Sequence, residues 1–184
     1  MYITQSLLVF ISNTVSIISI SLILLLLIYR NTKLLYIVIS MFVIGAFLIF
    51  FKIATLHLNN EFFIRPDKYE DTCKKLFKID NIFSDNLLVD YIKNIDKQKY
   101  KLRGFPSMHT TISTSIVTLL YLYYPKYRNI TLPIGIIYLG LVGYSRVYLN
   151  CHKTNQVIGG YILGVTLSII LYKVTGKINK NILR

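Results

Sequence analysis

Carboxylates are the scarcest chemistry in this sequence. Eight Asp or Glu occur among 184 residues, and all lie between Glu61 and Asp96. A Ser-His-Asp triad is not expected, because the acidic residues are confined to that one segment. Cysteine is rarer still. Cys73 and Cys151 are too few for a disulfide framework or a zinc site, and alone they imply no redox compartment. Charged residues make up 16%, against about 25% in soluble domains, which argues against an ordinary globular enzyme. Disorder is excluded from the other side, because 54% of residues are hydrophobic and the mean hydropathy is +0.53. No repeat or low-complexity linker divides the chain, whose length suits a single domain, 1–184. The first apolar stretch lacks a basic leader and a small-residue cleavage site, so it reads as a retained membrane helix.

What is abundant is uncharged apolar sequence in long runs. Five of them, about 6–28, 34–58, 108–125, 129–149 and 156–174, approach the roughly 20 residues that cross a bilayer. The expected fold is all-α, an integral-membrane bundle of about five transmembrane helices. The third run is the weakest, because Thr and Ser dilute it. Gly160 and Gly164 form a small-xxx-small pair that suits close helix packing. The only long polar segment is 57–105. Within it Ser84 precedes Leu87, Leu88, Tyr91, Ile92 and Ile95, a helical stripe expected to form an amphipathic surface helix.

The net charge of +13 does not imply nucleic acid, because basic residues outside 57–105 are scattered between apolar runs with no contiguous face. Their placement reports orientation. Arg30, Lys33, Lys126, Arg128, Lys173, Lys177, Lys180 and Arg184 fall on one side, without a carboxylate. The positive-inside rule makes that side cytosolic and puts the long polar loop on the luminal or extracellular face. Asn129, in the sequon Asn129-Ile130-Thr131, should then stay unglycosylated.

Parity of the spans also gathers polar residues. Arg65-Pro66 after the second run, Ser107-Met108-His109 at the third, Ser145-Arg146 ending the fourth, and His152 with Gln156 opening the fifth share one face. Two Arg and two His without clustered carboxylates suit an anion site that moves protons. The planar guanidinium donates paired hydrogen bonds to phosphate, and the first amides of a helix favour negative charge. Neither His has a partner at metal-ligand spacing, and Cys151 beside His152 is a poor co-ligand, so no metal or cofactor is expected. Taken singly, Arg146 and His152 also read as interfacial residues snorkelling to water. Ser107 alone reads as an N-cap and Arg65 as a solvated charge. Lys52, inside an apolar run, needs a partner or a function.

These residues resemble the type-2 phosphatidic acid phosphatase (PAP2) superfamily, whose pattern is a Lys before Arg-Pro, then Pro-Ser-x-His, then Ser-Arg with a later His. Here it reads Lys52, Arg65-Pro66, Pro106-Ser107-Met108-His109 and Ser145-Arg146-(x5)-His152. The stretch Tyr144 to Gly160 is most similar to the dolichyl diphosphate phosphatase branch, which also carries Gln where most relatives carry Asp. The resemblance implies a metal-independent membrane phosphatase acting on a lipid phosphate or diphosphate, polyprenyl diphosphate being favoured. His152 would be the nucleophile and His109 the general acid and base. Gln156 would fix the His152 tautomer, a task an Asp there should also manage. Arg65, Ser107, the Met108 amide, Arg146 and Lys52 would hold phosphate. Met108 departs from the small residue common at its position. The family spacing would put the lysine at Leu58, so Lys52 reaches the site only if the following chain folds back. A lipid phosphotransferase using the same site, or a non-catalytic lipid-binding protein, remains an alternative.

Overall fold

A segment crossing hydrocarbon must satisfy its backbone groups internally, which favours unbroken helices. The computed structural model describes residues 2–58, 60–69, 73 and 102–182. Its long helices are α1 (Tyr2–Tyr29), α2 (Thr32–Ala54), α3 (Met108–Tyr123), α4 (Arg128–Tyr148) and α5 (Thr154–Ile182). Short 3-10 turns cover Asp67–Tyr69 and Pro125–Tyr127, and Ile64 pairs with Arg103 in an isolated antiparallel bridge. The helix expected between Ser84 and Ile95 lies outside the described residues.

Among the described residues four helices, α1, α2, α4 and α5, are long and apolar enough to cross a membrane. Leu27, Ile28, Phe42, Ile134 and Ile137 are largely exposed on them, as suits side chains facing lipid. The chain is a multi-pass integral membrane protein. Helix α3 differs from the span expected over 108–125. Its 16 residues extend only about 24 Å, short of a hydrocarbon core of about 30 Å. Thr110, Thr111, Ser113, Thr114 and Ser115 are buried in it, each hydroxyl bonding a carbonyl three or four residues back at 2.6–3.1 Å. That local bonding satisfies the hydroxyls and lets a polar helix occupy the interior. It packs on α2, α4 and α5. Helix α5 approaches closely through glycine: a Cβ on Gly164 would lie 2.7 Å from the Thr111 carbonyl oxygen and 2.7 Å from Thr114 Cβ.

Helix α2 ends at Ala54 and not near Leu58 as its hydropathy suggests. The reason is Arg103, whose buried guanidinium draws in the carbonyls of Leu56 and Leu58. The chain then turns back, and Phe63–Arg65 runs antiparallel to Leu102–Gly104 through Arg65 N to Leu102 O and Gly104 N to Phe63 O, both 2.8 Å. At the opposite end, Asn31 Oδ1 caps α2 by accepting from Lys33 N and Leu34 N. There Lys33 lies over Tyr124 and Arg128 over Tyr121, so the α1–α2 and α3–α4 turns share one end of the bundle.

Candidate active site

At the other end the site is built from turns. Helix α4 stops at Tyr148, and Asn150 takes the left-handed region with φ 52°, a conformation Asn tolerates better than most residues. The turn brings the Cys151 and His152 amides to the Arg146 carbonyl at 3.0 and 3.1 Å. The five-residue gap between Arg146 and His152 is therefore the length of one helix-terminating turn, which keeps the two side by side. Both are buried, with 3% and 2% of their surface exposed. Snorkelling describes neither.

The His152 ring has a donor on one side and an acceptor on the other. Arg65 Nη1 lies 3.4 Å from Nε2, and Gln156 Oε1 lies 3.3 Å from Nδ1. A guanidinium only donates and an amide oxygen only accepts, so the ring carries its proton on Nδ1 and a lone pair on Nε2. Burial, reinforced by the positive charges of Arg65, Arg146 and Lys52 and by His109, holds the His152 pKa well below the usual histidine range. The imidazole is neutral.

Arg65, Arg146, Lys52 and His109 lie near enough to act on the charge of this ring. Arg65 also donates to the Cys151 carbonyl at 2.9 Å and lies 4.3 Å from the Tyr69 ring centroid. Lys52, at the end of α2, is 2% exposed, and its charge reaches both His109 and His152. The fold-back after α2 absorbs the long spacing between Lys52 and Arg65. Ser107 is the N-cap of α3 by backbone geometry, but its side chain makes no capping bond. Its buried Oγ has no hydrogen-bond partner among the described residues, so a donor waits at the helix mouth. Met108 and His109 form the first turn of α3. There the amides of an α-helix have no intrahelical acceptor and favour an anion.

Three contributors were not singled out by their sequence. Ser12, buried in α1, accepts from Arg146 Nη1 at 2.6 Å; nothing marks it among the other serines of that apolar run. Gly104 leaves space for the Gln156 amide, which a Cβ would approach within 2.2 Å. Cys73 and Cys151 form a single disulfide, a pairing that two cysteines, too few for a framework, did not announce. Cys151 precedes α5 and does not lie on a helix, so the bond holds Cys73 next to the residue preceding His152. Among the described residues no group of three or more His, Cys, Asp or Glu could hold a metal ion.

An apolar groove of about 480 Å³ opens beside these groups, lined in part by Phe51, Phe62, Phe105, Ile158 and Ile162. Phe51 precedes Lys52, and Phe105 lies two residues before Ser107.

Comparison with known proteins gives the same direction. A family model described as the PAP2 superfamily matches residues 34–180. An undecaprenyl-diphosphatase from Sulfolobus acidocaldarius is 44% identical over 80 residues, 42% of this chain and 37% of that protein. The chain thus matches little more than a third of that relative's length. No solved structure matches.

Proposed function

Because the chain belongs to the PAP2 superfamily, we propose that it is a membrane lipid diphosphate phosphatase that works through a phosphohistidine at His152. The observation that carries this reading is the His152 ring itself: a neutral imidazole with its Nε2 lone pair turned toward Arg65 and its Nδ1 proton held by Gln156. Neutral imidazole is a nucleophile only while it stays unprotonated, and the surrounding cations keep it so. The same cations would receive a phosphoryl group.

In the first step the Nε2 lone pair attacks the terminal phosphorus. The bond to the bridging oxygen breaks, and that oxygen takes its electron pair and a proton from His109. Burial and the same cations hold the His109 pKa low before substrate binds. The negative diphosphate offsets them, so that His109 carries that proton when substrate is bound. Lipid monophosphate leaves. In the second step neutral His109 takes a proton from water as the water oxygen attacks phosphorus. The P–N bond breaks, its pair returns to Nε2, and inorganic phosphate departs. Arg65, Arg146, Lys52, the Ser107 hydroxyl and the Met108 amide hold the equatorial oxygens in both steps, and the phosphoryl group takes over the Arg65 donor.

The substrate class follows from the groove and the relative. Hydrocarbon of the lipid would lie between α2 and α5 against Phe51, Phe62 and Phe105, each close in sequence to a phosphate-holding residue. The similarity to an undecaprenyl-diphosphatase favours a polyprenyl diphosphate. The site is placed on the luminal or extracellular face, supported by the basic residues at the opposite end and by the Cys73–Cys151 disulfide, a bond that persists in oxidising compartments.

The test is phosphate release from a panel of polyprenyl diphosphates, lipid monophosphates and soluble phosphate esters, assayed in detergent with EDTA. Wild type should release phosphate without an acceptor lipid, and His152→Ala should lose at least a thousandfold while folding normally. Activity within tenfold of wild type in that variant removes the nucleophile assignment.

A further inference from the structure

Gln156 is fully buried, and both ends of its carboxamide are occupied. Oε1 accepts from the Lys153 amide at 3.2 Å and faces His152 Nδ1 at 3.3 Å. Nε2 donates to the Ile64 carbonyl at 2.7 Å and to the Phe62 carbonyl at 3.2 Å. The neighbours fix which end is which, since a backbone amide can only donate and carbonyls can only accept. The Gln156 main chain serves too: its carbonyl accepts from the Ser107 amide at 3.1 Å. One residue thus ties together His152, the segment leading into Arg65, and the mouth of α3.

Orienting the imidazole needs only the oxygen. A carboxylate would do that at least as well, because it accepts the Nδ1 proton and stabilises the cation formed during transfer. The nitrogen end does something a carboxylate cannot do. It grips the two carbonyls flanking Phe63, immediately before Arg65, and Gly104 on the paired strand leaves the room that the grip requires.

We propose that Gln156 is a positioning residue for Arg65 as well as for His152, its amide nitrogen setting the guanidinium in register with the nucleophile through the Phe62–Ile64 main chain. The proposal rests on the phosphate-site reading given above. It also reverses the sequence-based expectation that an Asp at this position should serve. A carboxylate would set a negative oxygen against two carbonyl oxygens and release the strand.

The experiment is a double-mutant cycle on the purified full chain, pairing Gln156→Glu with Arg65→Ala. Glu keeps the length and the acceptor, removes the donors and adds a negative charge, whose repulsion of phosphate would act with or without Arg65. Two readouts are taken, orthophosphate affinity by calorimetry and phosphate release from lipid diphosphate. In the wild-type background Gln156→Glu should weaken orthophosphate binding and lower kcat/KM by roughly ten- to a hundredfold. In the Arg65→Ala background the same change should cost at least threefold less, only that repulsion remaining. Equal losses in both backgrounds, or wild-type behaviour of Gln156→Glu, overturn the proposal. Should Gln156→Glu fail to fold, Gly104→Ala provides the second test with orthophosphate affinity as its readout, since its Cβ displaces the whole carboxamide, Oε1 beside His152 included, and turnover would mix the two roles. It should show the same dependence on Arg65, and equal losses with and without Arg65 again overturn the proposal. Orthophosphate binding keeps the two readings apart: coupling to Arg65 without turnover on any lipid would uphold the positioning role and refute the phosphatase.

Discussion

A buried histidine among three cations is governed by sign. Each positive neighbour disfavours the imidazolium, so removing one raises the His152 pKa. Lys52→Ala should therefore move the acid limb of the kcat/KM profile of the free enzyme to higher pH, because more of the nucleophile is protonated at a given pH. The measurement is a pH–rate profile on a soluble substrate; an unmoved limb would show that Lys52 does not act on His152. Turnover should fall less than in Arg146→Ala, because a guanidinium can hold phosphate through two parallel bonds and an ammonium through point contacts. His109, His152, Arg65, Arg146 and Ser107 were all legible as a group from helix parity alone. Gln156 was legible only by half. Its acceptor role follows from standing one helical turn after His152, whereas its donor role depends on a strand far away in sequence. Ser12 was invisible for the same reason, since its partner Arg146 comes from another helix.

At the scale of elements, the close approach of α3 and α5 decides whether the site has a floor. Gly164→Val would place side-chain atoms against the Thr111 carbonyl, which cannot move without unwinding α3. Overpacking of this kind costs about 1–3 kcal/mol. A lower thermal midpoint in detergent checks it, and an unchanged midpoint would mean the helices can separate freely. The groove between α2 and α5 gives a second prediction. Ile158 is half exposed there, and Ile158→Trp should fill the space a lipid tail would take. KM for a polyprenyl diphosphate should then rise about tenfold while a soluble phosphate ester is unaffected, a loss of the size expected for one or two buried methylenes to a few. Equal effects on both substrates would assign the groove another role. Among the described residues hydropathy located every long helix but not every end: α2 stops four residues before Leu58, and α5 runs on to Ile182, eight residues past the expected 174. The end of α2 is set by Arg103, and α3 can be polar inside the bundle because its hydroxyls are satisfied on its own backbone. Both are facts of partner geometry that a composition window cannot contain.

For the whole molecule, two independent features bear on the orientation proposed above. The cluster of Lys and Arg at the α1–α2 and α3–α4 turns opposes the site end, and basic turns are retained on the cytosolic side. The site end carries the Cys73–Cys151 bond, which reducing cytosol would tend to open. A diphosphate headgroup on the outer leaflet would then meet His152 without crossing the bilayer. Since the native cysteines are bonded to each other, a new thiol at an exposed position becomes the reactive one. Asn60→Cys at the site end and Lys126→Cys at the basic end are both exposed in the fold. In right-side-out vesicles a membrane-impermeant maleimide should label Asn60→Cys at once and Lys126→Cys only after permeabilisation. The reverse pattern would place His152 in the cytosol. The disulfide would then face reduction there, and its hold on Cys73 beside the nucleophile would lapse.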